Sequence, residues 1–351
     1  MTWLAPCRRL PARTMSLGLI YLDMNVYADV EQAASEAQLR NALESRRLRA
    51  VCSVELVQEA AVISDVGRRT RRMRTIRRVS SVDLDPCLSS ETRELVDELR
   101  AHVPGWIRHV PARARSMQLV RRWRQWLKGP FDPVHLDALA TLRRDEIAKN
   151  EDPHRALRRC FSIRGANMAP EIQCNDAELR QAVLAALPGQ ATETDLRHDP
   201  GVYREWTEYF ARTMLFDDYR VAIIDHEPYM RDVVDYIEPY LTGAAFAGMH
   251  RWARFCYLEA RLERLPRRLA LAGVRLGQYL RRHETGNLGD LGHCSYLRDV
   301  AVFVTSDRAL AASIARVPVE IRHARICLVR SDHTDLEAGL DAALQAHDSQ
   351  M

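Results

Sequence analysis

Two aspartates stand at the ends of short, strongly apolar runs. Asp23 closes Leu17 to Asp23 (LGLIYLD), and Asp307 comes just after Val300 to Thr305 (VAVFVT). Runs of this length, rich in β-branched and aromatic residues, read as buried strands. Open parallel sheets bind ligands beyond the carboxyl ends of their strands, so two such acids on one sheet would face one crevice. Side by side they repel, and staying ionised together requires a cation. A hard ion with carboxylate and water ligands, Mg²⁺ or Mn²⁺, fits that demand. Each acid also has a purely structural use, Asp23 in a strand-end turn and Asp307 as a helix N-cap.

The surrounding pattern supplies elements able to hold these acids. Asp29 to Arg46 has helical spacing, Leu48 to Ser53 is a second short strand, and Val54 to Ile63 is a helix with Ser53 as N-cap. This β-α-β-α order predicts a parallel sheet with crossover helices. The other end repeats it: a helix over Ser306 to Arg316, a strand over Ile326 to Val329 and a helix over Thr334 to Ala346. The middle is different. It carries helical periodicity over Glu91 to Ala101, Ala114 to Leu127, Val134 to Ala148, Asp176 to Ala186, Tyr203 to Arg220 and Arg251 to Arg282, with a break at Pro266 and almost no strand signal. The expected organisation is an α/β core split between residues 15–66 and 285–351, with an all-helical insertion over 67–284.

The Asp23-Met24-Asn25 signature resembles the opening of a PIN-domain nuclease. So does Ser53 followed by Glu59-Ala60 within a helix. The closing stretch GNLGDLGHCSYLRDVAVFVTSDRAL resembles the end of that family, with Asp290 opening a helix and Thr305-Ser306-Asp307 after a buried strand. The resemblance covers Leu17 to Ser64 and Gly286 to Val329, and the long separation of Glu59 from Asp290 departs from compact members. It implies a PIN-like core, a mainly parallel sheet flanked by helices. It also implies a metal-dependent ribonuclease in which Asp23, Asp290 and Asp307, with Glu59 as a further ligand or a partner of one, hold one or two Mg²⁺ or Mn²⁺ ions that activate a water and stabilise the scissile phosphate. Glu55, one turn before Glu59 on the same face, competes for the second position. Asn25 would steady Asp23 by hydrogen bonding, and Thr305 or Ser306 would meet a water or the phosphate. Asp299 reads instead as a salt-bridging residue ahead of its strand.

Basic residues suggest a substrate but do not fix one. The net charge is +4, and Lys128 and Lys149 are the only lysines. Arg68 to Arg78 (RRTRRMRTIRR) is the densest cluster, a helix with Met73 and Ile76 on a narrow apolar stripe. Arg71, Arg72 and Arg74 there are candidate contacts to the phosphates of RNA or single-stranded DNA. RRWRQW, with Trp123 and Trp126, could stack bases, though tryptophans three apart on a helix are more often core. The eight cysteines include no C-x-x-C pair, which argues against structural zinc, and His293-Cys294 alone makes no site. No apolar run approaches the roughly 20 residues that span a bilayer. Met15 is the expected start and the cytoplasm the expected location.

Two other functions fit parts of this pattern. A D-x-N at a strand end also resembles the nucleophile loop of haloacid-dehalogenase-like phosphatases, but Asn25 replaces their second acid and both lysines fall in the helical middle. The other is a non-catalytic PIN-like module that binds nucleic acid or protein, usually marked by lost acids.

Overall fold

In a computed structural model, the described residues are 18–32, 35–129, 134, 136–138, 140–141, 177–189, 191–224, 231–246, 248–280 and 287–329. The helix expected over Thr334 to Ala346, and Met15, lie outside them. The first half runs β1 (Leu19–Leu22), α1 (Met24–Gln32), α2 (Glu36–Ser45), β2 (Arg49–Cys52), α3 (Val54–Ala61), α4 (Val66–Val79) and β3 (Ser80–Asp83). Helices α5 (Cys87–His102), α6 (Arg113–Leu127), α7 (Ala177–Ala186), α8 (Glu193–His198), α9 (Pro200–Tyr219), α10 (Arg231–Ile237), α11 (Met249–Arg254) and α12 (Pro266–Tyr279) follow. The chain then adds α13 (Asn287–Cys294), β4 (Val302–Thr305), α14 (Arg308–Ala315), α15 (Val319–Arg322) and β5 (Arg325–Leu328).

The five strands form one sheet in the order β3-β2-β1-β4-β5, and every pairing is parallel. Ile20 stands opposite both Ala50 and Val302, so β1 is central. Its side chains Ile20, Tyr21 and Leu22 are fully buried, as expected of a strand covered on both faces. From β1 the chain winds outward through β2 and β3, whereas β4 and β5 lie on the other side. The reversal falls between β1 and β4, and the crevice beyond their carboxyl ends is where such a sheet binds ligands. The two acid-terminated runs are therefore neighbours.

One boundary differs from the sequence expectation. Met73, Ile76 and Val79 of α4 belong to the sheet's own core, and β3 is its edge strand, so the helical segment begins after Asp83 rather than at Gly67. The reason is local. Helical periodicity continues to Val79, and the edge strand Ser80-Ser81-Val82-Asp83 has a single apolar side chain and no alternation to detect. Among the described residues of 84–301, the elements are helical, with one isolated bridge between Ile107 and Leu241.

That helical body has its own core, around Trp106, Trp206, Trp252 and Phe255. Helix α12 joins it to the sheet. Ala270, Leu271 and Val274 pack into the sheet core, while Leu269, Ala272 and Leu276 pack into the helical one. At its start Arg267 makes a two-pronged ion pair with Asp299 at 2.6 and 2.7 Å, which accounts for that acid. Close approach also needs small residues. A Cβ on Gly277 would lie 3.1 Å from Ser313 Cβ and 3.1 Å from Tyr203 Oη. We therefore expect Gly277→Val to cost about 1–3 kcal/mol by overpacking. A lowered urea midpoint would reveal it, and an unchanged midpoint would show that the contact yields. Among the described residues, no helix is long and apolar enough to cross a membrane.

Candidate metal centre

Asp23 sits where β1 becomes α1. Its backbone N–H donates to the Val304 carbonyl at 2.9 Å, extending the ladder one step beyond the strand. Both carboxylate oxygens are engaged. Oδ1 accepts from Met24 N–H at 2.7 Å, and Oδ2 accepts from the Thr305 hydroxyl at 2.7 Å. Asn25 reaches Oδ2 only at 3.5 Å, the long limit of a hydrogen bond. The side chain is 3% exposed, and burial raises its pKa above the ordinary carboxylate range. His293 and the hydrogen bonds from Thr305 and Met24 oppose the rise, and Glu59 adds to it.

Glu59 approaches from α3, which is held to the sheet by its N-cap: Ser53 Oγ accepts from Leu56 N–H at 3.2 Å. Its carboxylate meets Nε2 of His293, a residue in the last turn of α13. The other ring nitrogen, Nδ1, lies 2.6 Å from the Tyr21 hydroxyl, which in turn lies 2.9 Å from Ser53 Oγ. Burial, reinforced by Glu55, pushes the Tyr21 hydroxyl well above its usual range, so it stays protonated and fixes the ring. Burial by itself would pull His293 down. The charge and hydrogen bond of Glu59, with the fields of Asp23 and Glu55, outweigh it and lift the imidazole to about 9. Without a metal, His293 is thus a buried cation between two acids.

Among the described residues, Asp23, Glu59 and His293 form the one group of metal-capable side chains whose donor atoms all lie within 4.8 Å of one another. An ion with bonds of about 2.1 Å spans donors about 4.2 Å apart, so small side-chain rotations close the group around it. Glu59, not Glu55, belongs to this close group; Glu55 contributes through its field at His293 and at Tyr21, Tyr296 and Cys87.

The remaining expected residues stand around it. Asp307 caps α14 through Ala309 and Leu310 N–H, and its own N–H donates to Thr305 Oγ1 at 3.0 Å. It is two hydrogen bonds from Asp23. Asp290 lies one turn before His293 on α13 and accepts from Gln278 of α12 at 3.5 Å, outside the close group. Thr305 is fully buried and committed to Asp23 and Asp307, so it orients an acid rather than meeting a phosphate. Ser306 is half-buried.

The arginine cluster is divided by its helix. Arg72 is 3% exposed and donates to Glu31 at 2.8 Å and to the Met24 carbonyl at 3.3 Å. It braces the turn beneath Asp23 and does not face solvent, a correction to its assignment as a phosphate contact. Extending the Met73 and Ile76 stripe back by one turn lands on Arg69 and Arg72, the signal that marks both as inward. Arg68, Arg71, Arg74 and Arg78 form the outward ridge. Trp123 and Trp126, edge to face with each other, pack against the sheet core.

His293 is the member of the close group that the motif reading missed. The usable signal was its spacing: three residues after Asp290, it shares that acid's helix face. Comparison with protein-family models, curated proteins and solved structures yields no match to this chain.

Proposed function

We propose that this chain is a divalent-metal-dependent nuclease, most simply a ribonuclease, built on a PIN-like core with a helical insertion. The observation that carries the reading is the convergence of Asp23, Glu59 and His293 at the sheet's point of reversal. A bound divalent ion would lower the pKa of a water and stabilise charge on the phosphate. The chain's own groups do the holding. Asp23 is fixed through both oxygens and His293 through Tyr21, and Asp307 and Asp290, outside the close group, would serve a second ion or its waters.

The outward ridge of α4 supports a nucleic-acid substrate. Arg72 ties α4 to the Met24 carbonyl, next in the chain to Asp23, and Arg68 and Arg71 stand exposed on the same helix. The Arg71 side chain is 63% exposed and only 3.4 Å from Glu31, a contact that phosphate can replace at little cost. Changing Arg68, Arg71 and Arg74 together to Gln is expected to weaken binding to single-stranded RNA and flatten its salt dependence. The log–log slope should fall by about 0.7 for each phosphate that the variant no longer neutralises. Fluorescence anisotropy at several salt concentrations reads both, and an unchanged slope would remove the ridge from the interface.

One observation favours a second reading, a binding module without catalysis. The protonated His293 can neutralise Glu59, and its field also reaches Asp23, with no ion present. Incubation of metal-stripped protein with RNA and single-stranded DNA, with Mn²⁺ or Mg²⁺ and then EDTA, separates the two. The nuclease cuts only with metal. The module binds without cutting and without needing metal.

A further inference from the structure

We infer that this centre selects a first-row transition ion of the Mn²⁺ class over Mg²⁺, because one of its three close donors is the Nε2 nitrogen of His293. The inference rests on reading Asp23, Glu59 and His293 as metal ligands. An all-carboxylate crevice suits Mg²⁺, which prefers oxygen donors and keeps several waters. Imidazole is a borderline nitrogen donor, suited to transition ions such as Zn, Cu, Fe and Ni. Mn²⁺ takes carboxylate, water and nitrogen together, so a two-carboxylate, one-imidazole set favours it over Mg²⁺.

The position of the ring makes nitrogen ligation more than a matter of composition. His293 is 1% exposed, so it has no outward rotamer in solvent to relax into. Ser53 Oγ already accepts from Leu56 N–H, and Tyr21 can donate to the same oxygen. The Tyr21 oxygen then accepts from Nδ1–H, and in that tautomer the Nε2 lone pair points to where Glu59 stands. Such outer partners set ligand orientation and basicity. The ion replaces the Nε2 proton now shared with Glu59. Three protein ligands leave positions open for water and a phosphate oxygen.

The full chain, stripped with EDTA, is titrated with Mn²⁺, Co²⁺ and Mg²⁺ in the absence of nucleic acid. Calorimetry gives affinities, and the visible spectrum of bound Co²⁺ reports nitrogen ligation. The wild-type protein should prefer Mn²⁺ to Mg²⁺ by about ten-fold or more, and Co²⁺ should bind more tightly still, following the stability order of these ions. His293→Asp should shrink the Mn²⁺/Mg²⁺ ratio. Tyr21→Phe, which keeps the ring and removes the hydroxyl, should weaken Mn²⁺ by roughly ten-fold while leaving Mg²⁺ nearly unchanged. A ratio identical in wild type and His293→Asp, or no nitrogen signature with Co²⁺, overturns the inference. Selective Mn²⁺ binding with no cleavage under any metal retains it and rejects the nuclease. Cleavage with a ratio insensitive to His293 does the opposite.

Discussion

Asp23→Asn is expected to abolish cleavage of single-stranded RNA while leaving RNA binding intact or tighter. The substitution preserves size and the acceptor for the Thr305 hydroxyl but removes the charge that would anchor the ion. Loss of an outer partner of a metal ligand typically costs about 10–100-fold, so loss of the ligand itself should exceed that. Folding distinguishes this from simple damage. Burial raises the folded-state pKa of Asp23 above its unfolded value. Its contribution to stability is therefore present below the unfolded pKa and lost as pH rises through the raised folded value. Burial disfavours the ionised form of Asp23, a penalty that asparagine does not carry, although its amide has one acceptor oxygen for the two donors Met24 N–H and Thr305 Oγ1. A cooperative melt of the metal-free variant then separates loss of the ligand from loss of the fold. Adding Mn²⁺ should raise the melting temperature of the wild type and not that of the variant. An Asp23→Asn protein that still cuts at the wild-type rate would take Asp23 out of the chemistry and leave the binding module as the better account.

In EDTA, the protein should lose stability as pH climbs from about 6.5 to about 9, by an amount on the order of 3 kcal/mol from His293. The sign follows from the direction of its shift. A histidine whose folded pKa lies above its unfolded value stabilises fully below the unfolded pKa, and that contribution fades through the folded one. Glu59, Asp23 and Glu55 supply the attraction, against the burial that works the other way. Asp23, whose pKa is also raised on folding, acts in the same direction. Urea unfolding in EDTA at three or four pH values would show the slope, and His293→Gln should flatten it whatever its own stability. Saturating Mn²⁺ should oppose the trend, since the ion needs the neutral imidazole and competes with the proton. A flat profile for the wild type would mean that His293 is already neutral in the folded state, and the buried cation would be discarded.

The sequence by itself determined the parts of this protein whose signal is local. β1 and β4 are apolar on both faces because both are covered, and that leaves an unbroken run of hydrophobic residues around Ile20–Leu22 and Val302–Val304. Ser53 and Asp307 could be read as N-caps because a cap is decided within three residues. Asp23 and Asp307 could be read as acids just past strand ends, though only the pairing of β1 with β4 brings both to Thr305. Tertiary packing decided the rest. β3 is an edge strand with one apolar side chain, so its pairing with β2 and not its own pattern makes it a strand. Arg72 is turned inward because α4 lies across α1, where Glu31 and the Met24 carbonyl can satisfy a buried guanidinium. Asp290 was aligned with the centre by motif, yet it lies outside the close group and reaches Gln278 of α12 at 3.5 Å. His293 shows the limit most clearly. Its partner Glu59 is 234 residues away, and they meet only because α13 packs across α3. A periodic pattern tells which face of a helix is buried. It carries no information about which distant side chain that face will meet, and a metal centre is made of such meetings.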